Sequence, residues 1–153
     1  MKCLLLPISV GLLLAPLLAA AYPPIAAPDL AREKRSLKTV CATCHNLQIV
    51  MDTPKSYDAW HDTVQKMVDR GAKGTDEQYD DIMDYLHRTI TTINVNSADP
   101  DELEIVLDIP DAAAQAIVAR RSTKRIASLT DLKSIPGVNP ATVNAKARLI
   151  FFK

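Results

Sequence analysis

Cys41-Ala42-Thr43-Cys44-His45 concentrates the chemistry of this chain in five residues. Two thiols sit two residues apart, within reach of one short turn, and an imidazole follows at once. C-x-x-C-H is the attachment signature of c-type haem. Each thiol adds across one vinyl group of the macrocycle, and the histidine lands beneath the iron as its proximal ligand. The expected cofactor is one covalent haem c, held by Cys41 and Cys44 and ligated by His45.

Haem is attached in this way outside the cytoplasm, so the chain should carry an export signal. Lys2 supplies a short positive region, Leu4 to Leu18 an apolar stretch, and Ala19-Ala20-Ala21 before Tyr22 a cleavage site. Residues 1–21 therefore read as a signal peptide and the mature protein as periplasmic. The alternative is an uncleaved anchor in the inner membrane, the one case in which a membrane is a partner. Pro7 and Pro16 argue against it, because they interrupt a stretch barely long enough to span. Cys3 leaves with the signal, so the mature chain keeps only the haem-motif thiols and no structural disulfide.

A mature chain of about 130 residues holds one ordinary domain or two small ones. The 18 basic residues balance 18 acidic ones, so overall charge points to no class of partner. Aromatic residues are only 5% of the chain, too few for a rich side-chain core, and a buried macrocycle would compensate.

The pattern divides near residue 92 into two all-α halves, 22–92 and 93–153. In the first, Tyr22 to Pro28 is an extended leader, and Asp29 caps a helix of about ten residues that runs into the haem motif. A loop follows to Lys55. Ser56 caps a helix with Trp60, Val64 and Met67 on one stripe, which ends at Gly71 and Gly74. Thr75 and Gln78 form a capping box for a third helix, with Tyr79, Ile82, Leu86 and Ile90 inward. Met83 also points inward on this helix, and His87 reads as a solvated surface residue.

Short helices round a C-x-x-C-H turn resemble class I cytochromes c. More closely, the haem motif with Trp60, Val64, Met67, Gly71-Ala72 and Tyr85-Leu86 looks like the short cytochrome c domains that accept electrons from periplasmic dehydrogenases, such as sulfite and quinohaem amine dehydrogenases. The resemblance spans 22–92 and is specific at the haem motif. It implies Met67 as the distal ligand, where the chain crosses to the far side of the ring. A thioether is soft and neutral, which favours ferrous iron and raises the potential. His61 and Met51 are the alternatives: His61 shares an apolar face with Tyr57, Val64 and Val68, and Met51 would need a tight wrap round the ring edge.

The second half reads as two helix-turn-helix units in tandem round a shared core. Asp99 caps a helix from Pro100 to Leu107, Asp108 to Asp111 is a turn, and Ala112 to Arg121 is helical. Ser128 then caps Leu129 to Ser134, Ile135 to Asn139 is a turn, and Pro140 opens a last helix with Val143, Ala147 and Ile150 inward. "INVNSADPDEL", "AQAIVARR", "IASLTDLKSIPGV" and "PATV" look like the competence-protein (ComEA-like) double helix-hairpin-helix domain. That resemblance implies phosphate contacts from hairpin backbone amides, without sequence reading.

The hairpins depart from the family's Gly-hydrophobic-Gly pattern. In the first, Pro110 has no amide to donate, and Asp108 and Asp111 repel phosphate. In the second, Gly137-Val138-Asn139 keeps one glycine, and Asn139 is expected to replace the other in a left-handed conformation. The half carries eight basic residues against seven acidic, and its one basic excess is Arg120, Arg121, Lys124 and Arg125. That cluster reads first as a solvated helix end, which suits the helix dipole, and second as a nucleic-acid patch.

The function this supports is an exported, non-enzymatic carrier of single electrons. Its partner would be a redox protein such as a periplasmic dehydrogenase, and its C-terminal half a docking module. Two other readings stand beside it. One is an envelope DNA-binding protein that carries haem; the other is a haem sensor with an open distal site.

Overall fold

The computed structural model describes residues 28–153. The expected signal peptide and most of the expected extended leader lie outside the described residues. The fold is all-α with one two-stranded sheet. Among the described residues no helix is long and apolar enough to cross a membrane.

Helix α1 (Leu30–Cys41) begins where the Asp29 carboxylate accepts the Arg32 N–H and ends in the C-x-x-C-H turn. A short α2 (Gln48–Met51) occupies what the sequence suggested was loop, started by Asn46, whose side chain accepts the Gln48 N–H at 2.8 Å. Helix α3 (Tyr57–Asp69) closes at Gly71, whose φ of +98° is open to glycine at little cost. There Gly71 N–H donates to the Val68 carbonyl and Ala72 N–H to the Met67 carbonyl, both at 2.9 Å. Helix α4 (Asp76–Ile90) starts with the expected Thr75–Gln78 capping box.

Helices α1 and α4 pack along each other and form the frame of the N-terminal half. Leu37, Val40, Trp60, Ile82, Leu86 and Ile90 make its core. A buried polar seam runs beside them. Ser36 donates to Asp81 at 2.8 Å, Arg32 pairs with Asp81 at 2.9 Å, and Glu33 is buried one turn before Leu37.

The chain leaves α4 through β1 (Ile93–Asn94), which pairs in parallel with β2 (Ile150–Phe151) at the far end of the C-terminal half. Between them lie α5 (Pro100–Leu107), α6 (Asp111–Thr123), α7 (Leu129–Lys133) and α8 (Pro140–Ala145). Asp99, Ser128 and Asn139 cap α5, α7 and α8. The last helix is shorter than its periodicity suggested. It stops at Lys146, a 3₁₀ turn carries Ala147–Leu149, and Ile150 is buried as a strand residue because β1 offers it a ladder.

Leu103, Leu107, Ile117, Ile126, Leu132 and Val143 fill the second core. The Asn96 amide ties its loops together, accepting the Ile126 N–H at 3.0 Å and donating to the Ile126 carbonyl at 2.8 Å. The two halves touch: α4 packs on α5, and Tyr57 of α3 packs against the C-terminal core.

Candidate functional site

The N-terminal helices do not fill the space they enclose. A cavity of about 580 Å³ opens between α1, α3 and α4, within the ~300–1,000 Å³ usual for small-molecule sites. Leu37 and Val40 wall it from α1, Trp60, Val64 and Met67 from α3, and Ile82 and Leu86 from α4. Cys41, Cys44 and His45 line it as well, as do Ile49 and Val50 of α2.

The haem motif is built by the way α1 ends. Cys41 is the last helical residue and half-buried, and its burial pushes the thiol pKa up. Thr43 donates its hydroxyl to the Val40 carbonyl at 2.7 Å, closing the turn and leaving Cys44 exposed. His45 Nδ1 lies 3.3 Å from the Asn46 carbonyl oxygen. When Nδ1 carries the proton and donates it there, Nε2 is left bare, the tautomer that metal ligation uses.

Of the three distal candidates, Met67 lines the cavity and the other two do not. Met51 packs on the N-terminal core from α2. His61 is exposed on the other side of α3, with its ring 5.8 Å from that of Tyr57 and 5.5 Å from that of His87. His87 is not a solvated residue as the sequence suggested. It is 4% exposed, and Tyr57 stacks on it. The charged Asp and Arg neighbours along α4 hide that position, because its apolar partner comes from a different helix.

The residues suit haem. The walls are largely apolar, as a porphyrin requires, and Cys41, Cys44 and His45 are all among the lining residues. The lysine and arginine of the lining are Lys55 and Arg70, and no carboxylate lines it. Lys55 also stands over the Trp60 ring, 5.7 Å from its centroid. The Trp60 indole N–H is buried without a partner, a donor that a group bearing carboxylates could satisfy. Sequence reasoning missed Lys55, Arg70 and Ile49. Nothing in helical periodicity marks a loop lysine or a post-helical arginine as part of a cavity wall.

In the C-terminal half, Asp108 takes the left-handed conformation at φ 53°, where the hairpin pattern has glycine, and is exposed. Pro110 is exposed beside it, and Asp111 is the first residue of α6 rather than part of the turn. Gly137 has φ +83°, and a Cβ there would lie 2.8 Å from the Ala113 Cβ. Val138 is buried. Asn139 is not left-handed: it is extended at φ −79° and caps α8 by accepting the Ala141 N–H. The glycine it replaces had its role taken over by a cap.

The basic cluster is divided by its bonds. Arg121 is half-buried and donates to the Val95 carbonyl at 2.9 Å, and Arg125 donates to the Phe152 carbonyl at 2.7 Å. Both tie α6 and its exit to the two ends of the half. Arg120 reaches only the nearby Lys124 carbonyl at 3.4 Å, and Lys124 is exposed. Lys146 is drawn inward to the Val106 carbonyl at the end of α5, and burial lowers its pKa.

Residues 88–150 match the family model described as helix-hairpin-helix motif. The C-terminal half is a helix-hairpin-helix domain, with its two hairpins at Asp108–Pro110 and Gly137–Asn139. The match begins inside α4 and leaves the C-x-x-C-H turn outside it. No curated protein and no solved structure matches the chain.

Proposed function

We propose that this chain is an exported c-type cytochrome that carries single electrons. Cys41 and Cys44 would hold the haem covalently, His45 would ligate the iron from one side and Met67 from the other. One observation carries this reading. The C-x-x-C-H turn and Met67, from separate elements, line a single apolar cavity. When bound, the haem supplies a reversible one-electron couple at its iron. The largely apolar walls would limit water around it, and Lys55 and Arg70 of the lining would offer positive charge to its two carboxylates. Nothing in this arrangement calls for bond chemistry, so the protein's contribution is ligation, burial and a docking surface.

The partner is a redox protein such as a periplasmic dehydrogenase, and the helix-hairpin-helix half serves as a docking module. Expression with haem-maturation machinery tests the reading. The purified protein should be coloured, keep its pigment through acid acetone, and show a thioether–iron charge-transfer band when oxidised. Colourless protein, or pigment that acid acetone strips, rules the covalent haem out.

The family match favours a second reading of the C-terminal half, binding of duplex DNA. Its hairpins are poorly equipped for phosphate: Pro110 lacks an amide, Asp108 carries the wrong charge, and three of the four clustered cations are engaged with backbone carbonyls. Titration with duplex DNA at two salt concentrations separates the readings. Binding that weakens steeply with salt supports DNA, and its absence at low salt supports docking to protein alone.

A further inference from the structure

Helix α3 is held differently from the other long helices of the N-terminal half. Trp60 is its only fully buried residue, whereas α1 and α4 each bury several. Thr63, Val64 and Met67 border the cavity, so on that side the helix has little to lean on. Its firm contacts lie at its N-terminal end and on its other side, and they reach toward the C-terminal half. Tyr57 packs against the C-terminal core and stacks on His87, with ring centroids 3.8 Å apart and planes 16° from parallel. One residue before the cap, the Lys55 carbonyl accepts the Thr92 N–H at 2.8 Å, and Lys55 bridges Thr91 as an isolated strand pair. Thr91 itself is fully buried and donates to the Leu86 carbonyl.

We infer that Tyr57, stacked on His87, is a positioning residue that sets the rotation of α3 and so keeps Met67 at the iron. The inference rests on the haem reading above. Side-chain tips stand about 5–6 Å from a helix axis, so turning α3 by about 10° moves the Met67 sulfur about 1 Å. Ligand geometry tolerates about half that. The C-terminal end of α3 is closed by the Gly71–Ala72 turn, and Tyr79 of α4 donates to the Ala72 carbonyl at 2.9 Å. That end is therefore anchored by α4, and the opposite end by His87, by the Thr91–Thr92 segment and by the C-terminal core against which Tyr57 packs. Through Tyr57 the C-terminal core touches the helix that carries Met67.

The test uses the full, haem-loaded chain and added imidazole as a competing ligand. Tyr57→Ala, and the milder Tyr57→Leu, should weaken the thioether–iron band and raise imidazole affinity about two- to tenfold, the scale of one lost aromatic pair. Tyr57→Phe keeps the ring and should restore both. Leu132→Ala loosens the C-terminal core without touching the Tyr57–His87 stack and should lower thermal stability with imidazole affinity unchanged. Unaltered band and affinity in both Tyr57 variants overturn the inference, and so does an equal effect from Leu132→Ala. A coloured wild-type protein without the band refutes Met67 as ligand, and a colourless one refutes the haem; either result, read from the wild type alone, takes this inference with it.

Discussion

Met67 and His45 line the same cavity, one from the last turn of α3 and the other from the turn that follows α1. A haem bound in that cavity would have both residues available as iron ligands. Met67→Ala should therefore abolish the charge-transfer band and lower the reduction potential, because the soft neutral ligand that favours ferrous iron is gone. Met51→Ala and His61→Ala should leave the band intact, since neither side chain lines the cavity. Spectra of the three oxidised variants decide the matter, and a surviving band in Met67→Ala would sink the assignment.

A haem filling this cavity would make the N-terminal half dependent on it. An apolar void of about 580 Å³ is far larger than those left by single core truncations, which already cost several kcal/mol. Cys41→Ser or Cys44→Ser should leave residues 28–92 poorly folded, while the second core, built round Leu103 and Ile117, keeps its structure. Hydrogen exchange should show fast exchange in α1 and α3 with α5 and α6 still protected.

Gly137 has two separate reasons to be glycine: its positive φ and the 2.8 Å approach of its missing Cβ to Ala113. Gly137→Ala should destabilise the C-terminal half by about 1–3 kcal/mol. Urea unfolding of the haem-loaded protein would register this as a lower midpoint. An unchanged midpoint would mean that the two hairpin units do not rely on this contact.

Burial, and then the neighbouring His61, lowers the His87 pKa to about 4 from the ordinary 6.5. The unfolded chain takes up this proton near pH 6.5 and the folded chain only near pH 4, so the unfolded state binds more protons in between. Stability should fall as pH drops through that window, by up to about 3 kcal/mol. Glu33 works in the opposite direction: burial raises its pKa, so the folded chain retains a proton that the unfolded chain sheds as pH rises. His87→Gln should flatten the acid limb of a stability–pH curve, and Glu33→Gln should steepen it. Identical acid limbs in wild type and His87→Gln would remove His87 as the cause.

Arg121 and Lys124 belong to one basic run but should behave differently. Arg121→Ala removes a half-buried bond to the Val95 carbonyl and should cost about 1–2 kcal/mol, whereas Lys124→Ala should be neutral within about 0.5 kcal/mol. Thermal melts of the two variants provide the comparison.

Local signals were enough to read much of this protein from its residues in order. Asp29, Thr75, Asp99 and Ser128 cap the helices they precede, because a cap involves only the few residues beside it. The periodic apolar residues of α4 face the core, and the C-x-x-C-H turn stands out because its residues are adjacent in sequence. What tertiary structure decided was everything set by residues distant along the chain. Ile150 became a strand residue because β1 lay alongside it, Asn139 a cap because Gly137 alone made the turn, and Arg121 a tie because Val95 needed a donor. His87 is buried because Tyr57, from another helix, covers it. No pattern within a helix can report a neighbour that arrives from elsewhere, and burial is a property of such pairs.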